Sequence, residues 1–386
     1  MTSKKPQFVG ERTKLQDVAK TISERNRDGH CTSVYSVTNS QGFVPSEAYF
    51  SKEVFSKELK TYRVVKRNMI AYNPSRINVG SVALQDKADE VVVSPLYVVF
   101  SVDETKVLPD YIVRFLRSKP GLAQIAFQSI GTVRNNLKFK ALGEISISLP
   151  PLIEQKTRLV ALASIEFQIR RCTEIIEKLD SLVKSRFVEM FLNAEYPITT
   201  IGECAKDIHY GTSEKASSEG KYIYLRMNNI KDDGFLDLCD VKRITLDGKA
   251  LENCLVRKGD LLFNRTNSRD KVGKTCVFPF DEEMIIAGYI IRVRLDERVN
   301  SVYLSAFMNL GVTKRFLRSI AKGAVHQANI NAKQLASIEF PLPPIEVQES
   351  FVDFVRQVDK SRFVAQQQIE KLQLLYDSLA QEYFGD

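Results

Sequence analysis

No apolar run in this sequence reaches membrane-spanning length, and its start, Met1-Thr2-Ser3-Lys4-Lys5, lacks an apolar signal region. Both absences point to a soluble cytoplasmic protein with no membrane partner. Six cysteines, at 31, 172, 204, 239, 254 and 276, form no C-x-x-C pair. That spacing fits reduced cytosolic thiols better than a disulfide framework or a zinc site. The three histidines, His30, His209 and His326, have no metal-ligand spacing. No G-x-G occurs anywhere, so neither a dinucleotide loop nor an adenosylmethionine loop is supported. Gly273-Lys274-Thr275 resembles the end of a phosphate-binding loop, but Ser268 stands where the first glycine of that loop belongs. Asn73-Pro74-Ser75-Arg76 lacks the second proline and the aromatic of an N-P-P-[FY] methyltransferase motif. The expectation is a chain with no catalytic residues, no metal and no cofactor of its own.

What the chain does contain is a repeat. Leu149-Pro150-Pro151-Leu152-Ile153-Glu154-Gln155 returns as Leu342-Pro343-Pro344-Ile345-Glu346-Val347-Gln348. Ile176-Glu177-Lys178-Leu179 returns as Ile369-Glu370-Lys371-Leu372, and Glu189-Met190-Phe191 as Glu382-Tyr383-Phe384. Over 149–191 against 342–384, 12 of 43 positions are identical without a gap, too many for chance. The period is too long for a solenoid, so it marks two copies of a domain-plus-helix unit. The expected boundaries are a first domain at 1–149, a long helix at 150–192, a second domain at 193–342 and a second long helix at 343–386.

Both helical stretches are free of Pro and Gly between their bracketing residues, the expected punctuation of helix ends. In the first, Leu162, Ile165, Ile169, Cys172, Ile176, Leu179 and Val183 step by three and four, a coiled-coil seam. The second places Val355, Val358, Ala365, Ile369, Leu372 and Tyr376 in the same pattern, with Arg362 interrupting it. Two seams of equal length are expected to pack on each other as an antiparallel pair. The fold class expected is α+β, with two mixed α/β domains related by a pseudo-twofold axis and separated by the paired helices. Off the seam, Phe187, Met190, Phe351, Phe354, Phe363 and Leu375 form a second apolar face. It either covers the flanking domains or docks helices of another protein, and docking is the reading preferred.

The charge is segregated. Residues 1–151 carry a net +8 and residues 193–344 a net +3, while the second helical stretch, 345–386, carries −4. Basic large domains suit a polyanion. Each domain also has a polar loop between strand-like runs: Asn73, Ser75, Arg76 and Asn78 in the first copy, and Arg265, Asn267, Ser268, Arg269 and Lys271 in the second. A further loop precedes each Pro-Pro, with Arg134 and Asn135 in one and His326 and Gln327 in the other. Arg226 and Asn228 follow a strand-like run in the second domain. Arg and Asn are the side chains that read guanine and adenine edges bidentately, whereas Ser and Lys suit phosphates. Recurrence at matched positions with different side chains fits two readers of two sequences. Val91–Val99 and Met284–Val293 read as further strands, and Tyr111–Ser118 and Tyr303–Leu310 as short helices.

The L-P-P-x-x-x-Q openings, Ser185-Arg186-Phe187-Val188-Glu189-Met190-Phe191, the run Ala71–Gly80 and Gly259-Asp260-Leu261-Leu262-Phe263-Asn264-Arg265-Thr266 together resemble the specificity subunit of a type I DNA restriction–modification system. The resemblance covers nearly the whole chain. The second helix departs from it in retaining only Glu382-Tyr383-Phe384 of the S-R-F-x-E-M-F ending. The resemblance implies a non-catalytic subunit whose two domains each read half of a bipartite, asymmetric site in double-stranded DNA. It implies helices that fix the gap between halves and bind two modification subunits, with Leu162, Ile165, Ile169, Ile176, Leu179, Phe187, Val355, Val358, Ile369 and Leu372 as spacer and partner interface. It also implies two restriction subunits, with adenosylmethionine, ATP and magnesium held by the partners. An alternative makes this chain the DNA-reading part of a self-sufficient methyltransferase or nuclease whose catalytic portion lies elsewhere. Binding of adenosylmethionine by the isolated chain would favour that alternative. A structural adaptor with no DNA role is a third reading, which salt-dependent DNA binding would exclude.

Overall fold

The computed structural model describes residues 11–39, 41–49, 58–129, 136–324 and 327–385. The chain divides into two compact units, one formed by residues 1–172 with 367–386 and the other by 173–366. The cut passes through both long helices, so each unit owns half of each helix. Among the described residues no helix is long and apolar enough to cross a membrane.

The first unit is built on a four-stranded antiparallel sheet in the order Ala19–Ile22, Val98–Val102, Ile70–Tyr72, Val82–Leu84. The second unit repeats it with Ala205–Tyr210, Ile290–Leu295, Leu261–Asn264 and Thr275–Val277 in the same order. A two-stranded ribbon also recurs. Glu11–Lys14 pairs with Ser146–Leu149, and Ile198–Thr200 pairs with Glu339–Pro341, so each domain's last strand returns to its first before the Pro-Pro. The sheets carry short helices at Pro109–Arg117 and Lys119–Gln128 in one unit, and at Ser301–Met308 and Gly311–Ile320 in the other.

Two expected strands are each two strands. The run 91–99 is split between Glu90–Val93 and Val98–Val102, and 284–293 between Met284–Ile286 and Ile290–Leu295. Both halves are apolar because both face cores, so hydropathy alone hides the turn between them.

The long helices run Leu152–Phe187 and Ile345–Phe384, 36 and 40 residues. At 1.5 Å per residue they are about 54 and 60 Å long. Arg158 donates to the carbonyl of Tyr383, and the Cys172 thiol meets Gln368 at 3.5 Å. In the second unit Asp180 pairs with Arg362, and the rings of Phe187 and Phe351 meet at 5.3 Å. As one residue number climbs the other falls by nearly the same amount, which is the register of an antiparallel pair. Leu162, Ile165, Cys172, Val358 and Ala365 are buried in the seam, and Ile169, Ile176, Leu179, Val355, Ile369 and Leu372 are half-buried.

Arg362 does interrupt the apolar seam, and its charge is met there. It bonds the Asp180 carboxylate, lies 3.9 Å from Asp359, and its guanidinium sits 4.5 Å above the ring of Phe235. Burial, and the neighbouring Asp180 carboxylate, push the Asp359 carboxyl above its ordinary range against the opposing pull of Arg362.

The second apolar face corrects the docking expectation in part. Phe187 and Phe351 are fully buried in the second unit's core, and Met190 and Phe354 pack against it. Phe187 is therefore a core residue and offers a partner nothing. The reason is an aromatic cluster: Phe187 stacks on Tyr303 at 5.2 Å and meets Phe351, and a π-turn at Val188–Leu192 places Phe191 4.8 Å from both Phe187 and Tyr303. Phe363 and Leu375 stay exposed.

The candidate nucleic-acid interface

In each unit the polar loop after the third strand of the sheet is tied to the segment that leads to the Pro-Pro. In the first, Leu137 donates from its backbone to the Pro74 carbonyl at 3.0 Å, and the Tyr72 hydroxyl donates to the Leu137 carbonyl at 2.9 Å. In the second, Thr266–Asn267 pairs with Gln327–Asn329 as a short antiparallel ribbon, which Lys322–Ala324 extends. The second unit's ribbon lies beyond the end of the central strand Leu261–Asn264, where a loop can protrude without costing the sheet a hydrogen bond.

The loop after Tyr72 is a one-turn 3-10 helix, Ile77–Val79, anchored by the buried Ile77 and closed by Gly80 at φ +83°. Asn73 is half-buried and its side-chain oxygen accepts the Ser75 amide at 3.0 Å, so it shapes the turn. Ser75, Arg76 and Asn78 are exposed. Arg134 and Asn135 lie outside the described residues.

The second loop is held more firmly. Its Gly273, at φ +82°, closes the turn, and a β-carbon there would stand 2.6 Å from Leu317. Lys314 donates to the Gly273 carbonyl at 2.5 Å and Arg318 to the Asp270 carbonyl at 3.2 Å. Burial pulls the Lys314 ammonium down to about 8, and the nearby Lys274 and Arg318 act in the same direction. Arg269 and Lys271 are exposed, although the Arg269 Nε reaches the Arg318 carbonyl at 3.4 Å. Asn267 accepts the Ser268 amide at 2.8 Å. Gln327 is exposed, and His326 lies outside the described residues.

Three candidates have internal work. Arg265 lies 4.8 Å above the Tyr210 ring and donates to the Asn329 side chain at 3.1 Å and the Gly288 carbonyl at 3.4 Å. Arg226 pairs with the Asp240 carboxylate at 2.8 Å, and Asn228 donates to the same carboxylate at 3.3 Å. Of the candidates described, the exposed Arg76, Asn78, Arg269, Lys271 and Gln327 present the freest polar groups. Sequence reasoning missed Tyr210, Asp240, Lys314 and Arg318, whose partners are distant in the chain. Only the basic stripe of Gly311–Ile320 hinted at the last two.

Lys274 pairs with Asp232 at 3.0 Å and the Thr275 hydroxyl donates to the Gly273 carbonyl, so the phosphate-loop resemblance dissolves into a structural hairpin. Among the described residues no group of His, Cys, Asp and Glu is arranged to hold a metal.

A sheet-and-loop domain joined to a long helix, present in two copies, defines a protein built from a duplicated domain-plus-helix unit. A family model described as the type I restriction modification DNA specificity domain matches twice, at residues 13–183 and 196–374, and the chain belongs to that family. The type I restriction enzyme StySPI specificity subunit of Salmonella potsdam is 24% identical over 298 residues, covering 72% of this chain and 64% of the relative. The EcoKI specificity subunit of Escherichia coli (strain K12) is 24% identical over 276 residues, covering 66% and 59%. This chain thus spans less than two thirds of the length of these relatives. Among solved structures, a chain from a study of complex assembly in a type I restriction–modification system aligns over 98% of this chain and 99% of its own, at TM-score 0.56 and 17% identity. The type I S subunit of M. genitalium aligns over 99% and 97%, at TM-score 0.54 and 13% identity. Those two likenesses establish the fold.

Proposed function

We propose that this chain is the sequence-specific DNA-recognition subunit of a type I restriction–modification complex, each unit reading one half of a bipartite, asymmetric site. The observation that carries the reading is a polar loop at the matched place in each unit, closed by Gly80 in one and Gly273 in the other and carrying different side chains. One loop offers Arg76 and Asn78, the other Arg269 and Lys271 with Gln327 on the strand segment paired beside it, so the two units present different donor and acceptor patterns to base edges. Residues 1–149 and 193–342 are the reading domains, and 150–192 and 343–386 the helices that fix the gap between half-sites. Methylation and cleavage belong to two modification and two restriction subunits, which supply the sites for adenosylmethionine, ATP and magnesium. The complex works in the cytoplasm.

The helices supply a surface for the modification subunits. Ile153, Val160, Phe167, Ile175 and Leu182 are exposed and recur every seven or eight residues along the first helix. That is a second heptad stripe, off the first seam, suited to further helices. Phe363, Val364, Leu374 and Leu375 are exposed on the second helix.

The test is an exchange of residues 1–149 for the same region of a relative, followed by methylation mapping in a host carrying the modification subunits. One half of the methylated motif should change and the other should stay. A motif rewritten in both halves would overturn the two-reader assignment.

A further inference from the structure

Beside each reading loop the fold places a large exposed side chain on a turn, at the same register position in both units. The strand ending at Tyr72 pairs with the strand entering at Val98, and Phe263 pairs with Ile291 in the same way. Tyr72 and Phe263 are equivalent. Each precedes an asparagine, Asn73 or Asn264, whose amide bonds the carbonyl of the residue after the loop's glycine, Ser81 or Lys274. Counting back two residues from the paired partner gives Leu96 in one unit and Tyr289 in the other. Leu96 is 80% exposed and Tyr289 50%.

The two side chains sit on the same kind of turn. The Tyr97 amide bonds the Ser94 carbonyl at 3.0 Å, and the Ile290 amide bonds the Ala287 carbonyl at 2.8 Å. Leu96 and Tyr289 are the third residue of each turn. Both turns are also braced by a guanidinium on the carbonyl of their second residue. Arg63 donates to Pro95 at 3.2 Å, and Arg265 to Gly288 at 3.4 Å. The backbone amide of Arg265 further bonds the Tyr289 carbonyl at 2.9 Å, which ties the second tip to the reading loop itself.

A single exposed leucine is ordinary. A large apolar residue held out on a braced turn, at one register position in two copies that otherwise share few side chains there, is a built feature. It contributes nothing to either core. A leucine has no charge or donor for a phosphate, so the part of DNA it suits is the apolar part of the base pairs: thymine methyl groups and base faces. Resting on the DNA-reading assignment, we infer that Leu96 and Tyr289 are base-contacting tips, each entering a groove beside its unit's polar loop and adding apolar discrimination to the half-site read there.

The experiment uses the full chain assembled with its modification subunits, and two duplexes: one carrying the motif found by methylation mapping, the other with both half-sites scrambled. Leu96→Ser should weaken binding to the motif duplex roughly tenfold and leave the scrambled duplex unchanged. The lost discrimination should be confined to one half-site. Tyr289→Ser should do the same for the other half, and Tyr289→Phe, which keeps the ring, should retain wild-type affinity. Both positions are exposed, so unchanged thermal unfolding is expected and serves as the folding control. Wild-type affinity of the serine variants for the motif duplex would overturn the inference, as would equal loss on both duplexes or loss of subunit assembly. The DNA-reading assignment fails by a different sign, a wild-type complex that does not prefer the motif duplex at all.

Discussion

Gln155 and Gln348 occupy the same buried station, one at the head of each long helix. The Gln155 side chain donates to the carbonyls of Pro150 and Lys106 and accepts the Leu108 amide, each at 2.9 Å. Gln348 donates to Pro343 and Arg298 and accepts the Asn300 amide, also at 2.9 Å. This is the physical content of the L-P-P-x-x-x-Q motif. One amide side chain joins the carbonyl of the first proline to the loop before a domain helix.

Gln155→Glu keeps the shape and removes both donors. Two buried carbonyls would then face a carboxyl group, and each unsatisfied buried group costs about 1–3 kcal/mol. Gln155→Glu and Gln348→Glu are therefore each expected to lower stability by roughly 2–5 kcal/mol. Urea denaturation of the full chain, followed at each unit by hydrogen exchange, should locate the loss in the unit that carries the substitution.

The Arg362–Asp180 pair calls for a double-mutant cycle. Removing Arg362 leaves the Asp180 carboxylate half-buried and short of its partner, and breaking such a pair costs about 3–5 kcal/mol when fully buried. Arg362→Leu should therefore destabilise more than Arg362→Leu combined with Asp180→Leu, which completes an apolar seam. Additive losses in denaturation would show that the two side chains are not coupled.

Lys314 predicts a pH dependence of definite sign. Its folded-state value of about 8 lies below the ordinary lysine value of 10.5. Between those values the unfolded chain binds more protons than the folded one, so stability from this group rises with pH across that window and is least below it. Lys314→Met should remove the rise. Measured at pH 7.5 and again near pH 10, the stability of wild type relative to the variant should increase; no change would mean that the ammonium is solvated.

Arg76→Ala and Arg269→Ala test the reading loops. Each should lose roughly 1–3 kcal/mol on the motif duplex with little loss on random DNA. Uniform loss on both duplexes would assign the arginine to phosphates.

Much of the helical architecture was legible because it is local. The Pro-Pro punctuation placed the helix starts at Leu152 and Ile345, and the three-four spacing identified Leu162 and Val358 as seam residues. The repeat likewise brought out the loops at 73–78 and 265–271. Hidden features were those decided by distant chain segments. Nothing near Arg226 in sequence announces Asp240 as its partner, and hydropathy over 284–293 cannot show a turn whose flanks are both buried. Phe187 was misread for a related reason, since the rings that bury it, Tyr303 and Phe351, are distant in the chain.

Phe384 closes the core of the first unit. Its ring packs 5.1 Å from Tyr111 and 6.0 Å from Phe115, and it is 5% exposed. The second unit is one continuous stretch, 173–366, whereas the first needs residues 367–386 to complete its core. During synthesis the first-made domain therefore waits on the ribosome with an open wall, while the later-made domain already has all its parts. The usual order, in which the N-terminal domain folds first, is reversed in its final step. A nascent chain stalled before Phe384 emerges should show the second unit protected from protease and the first still open.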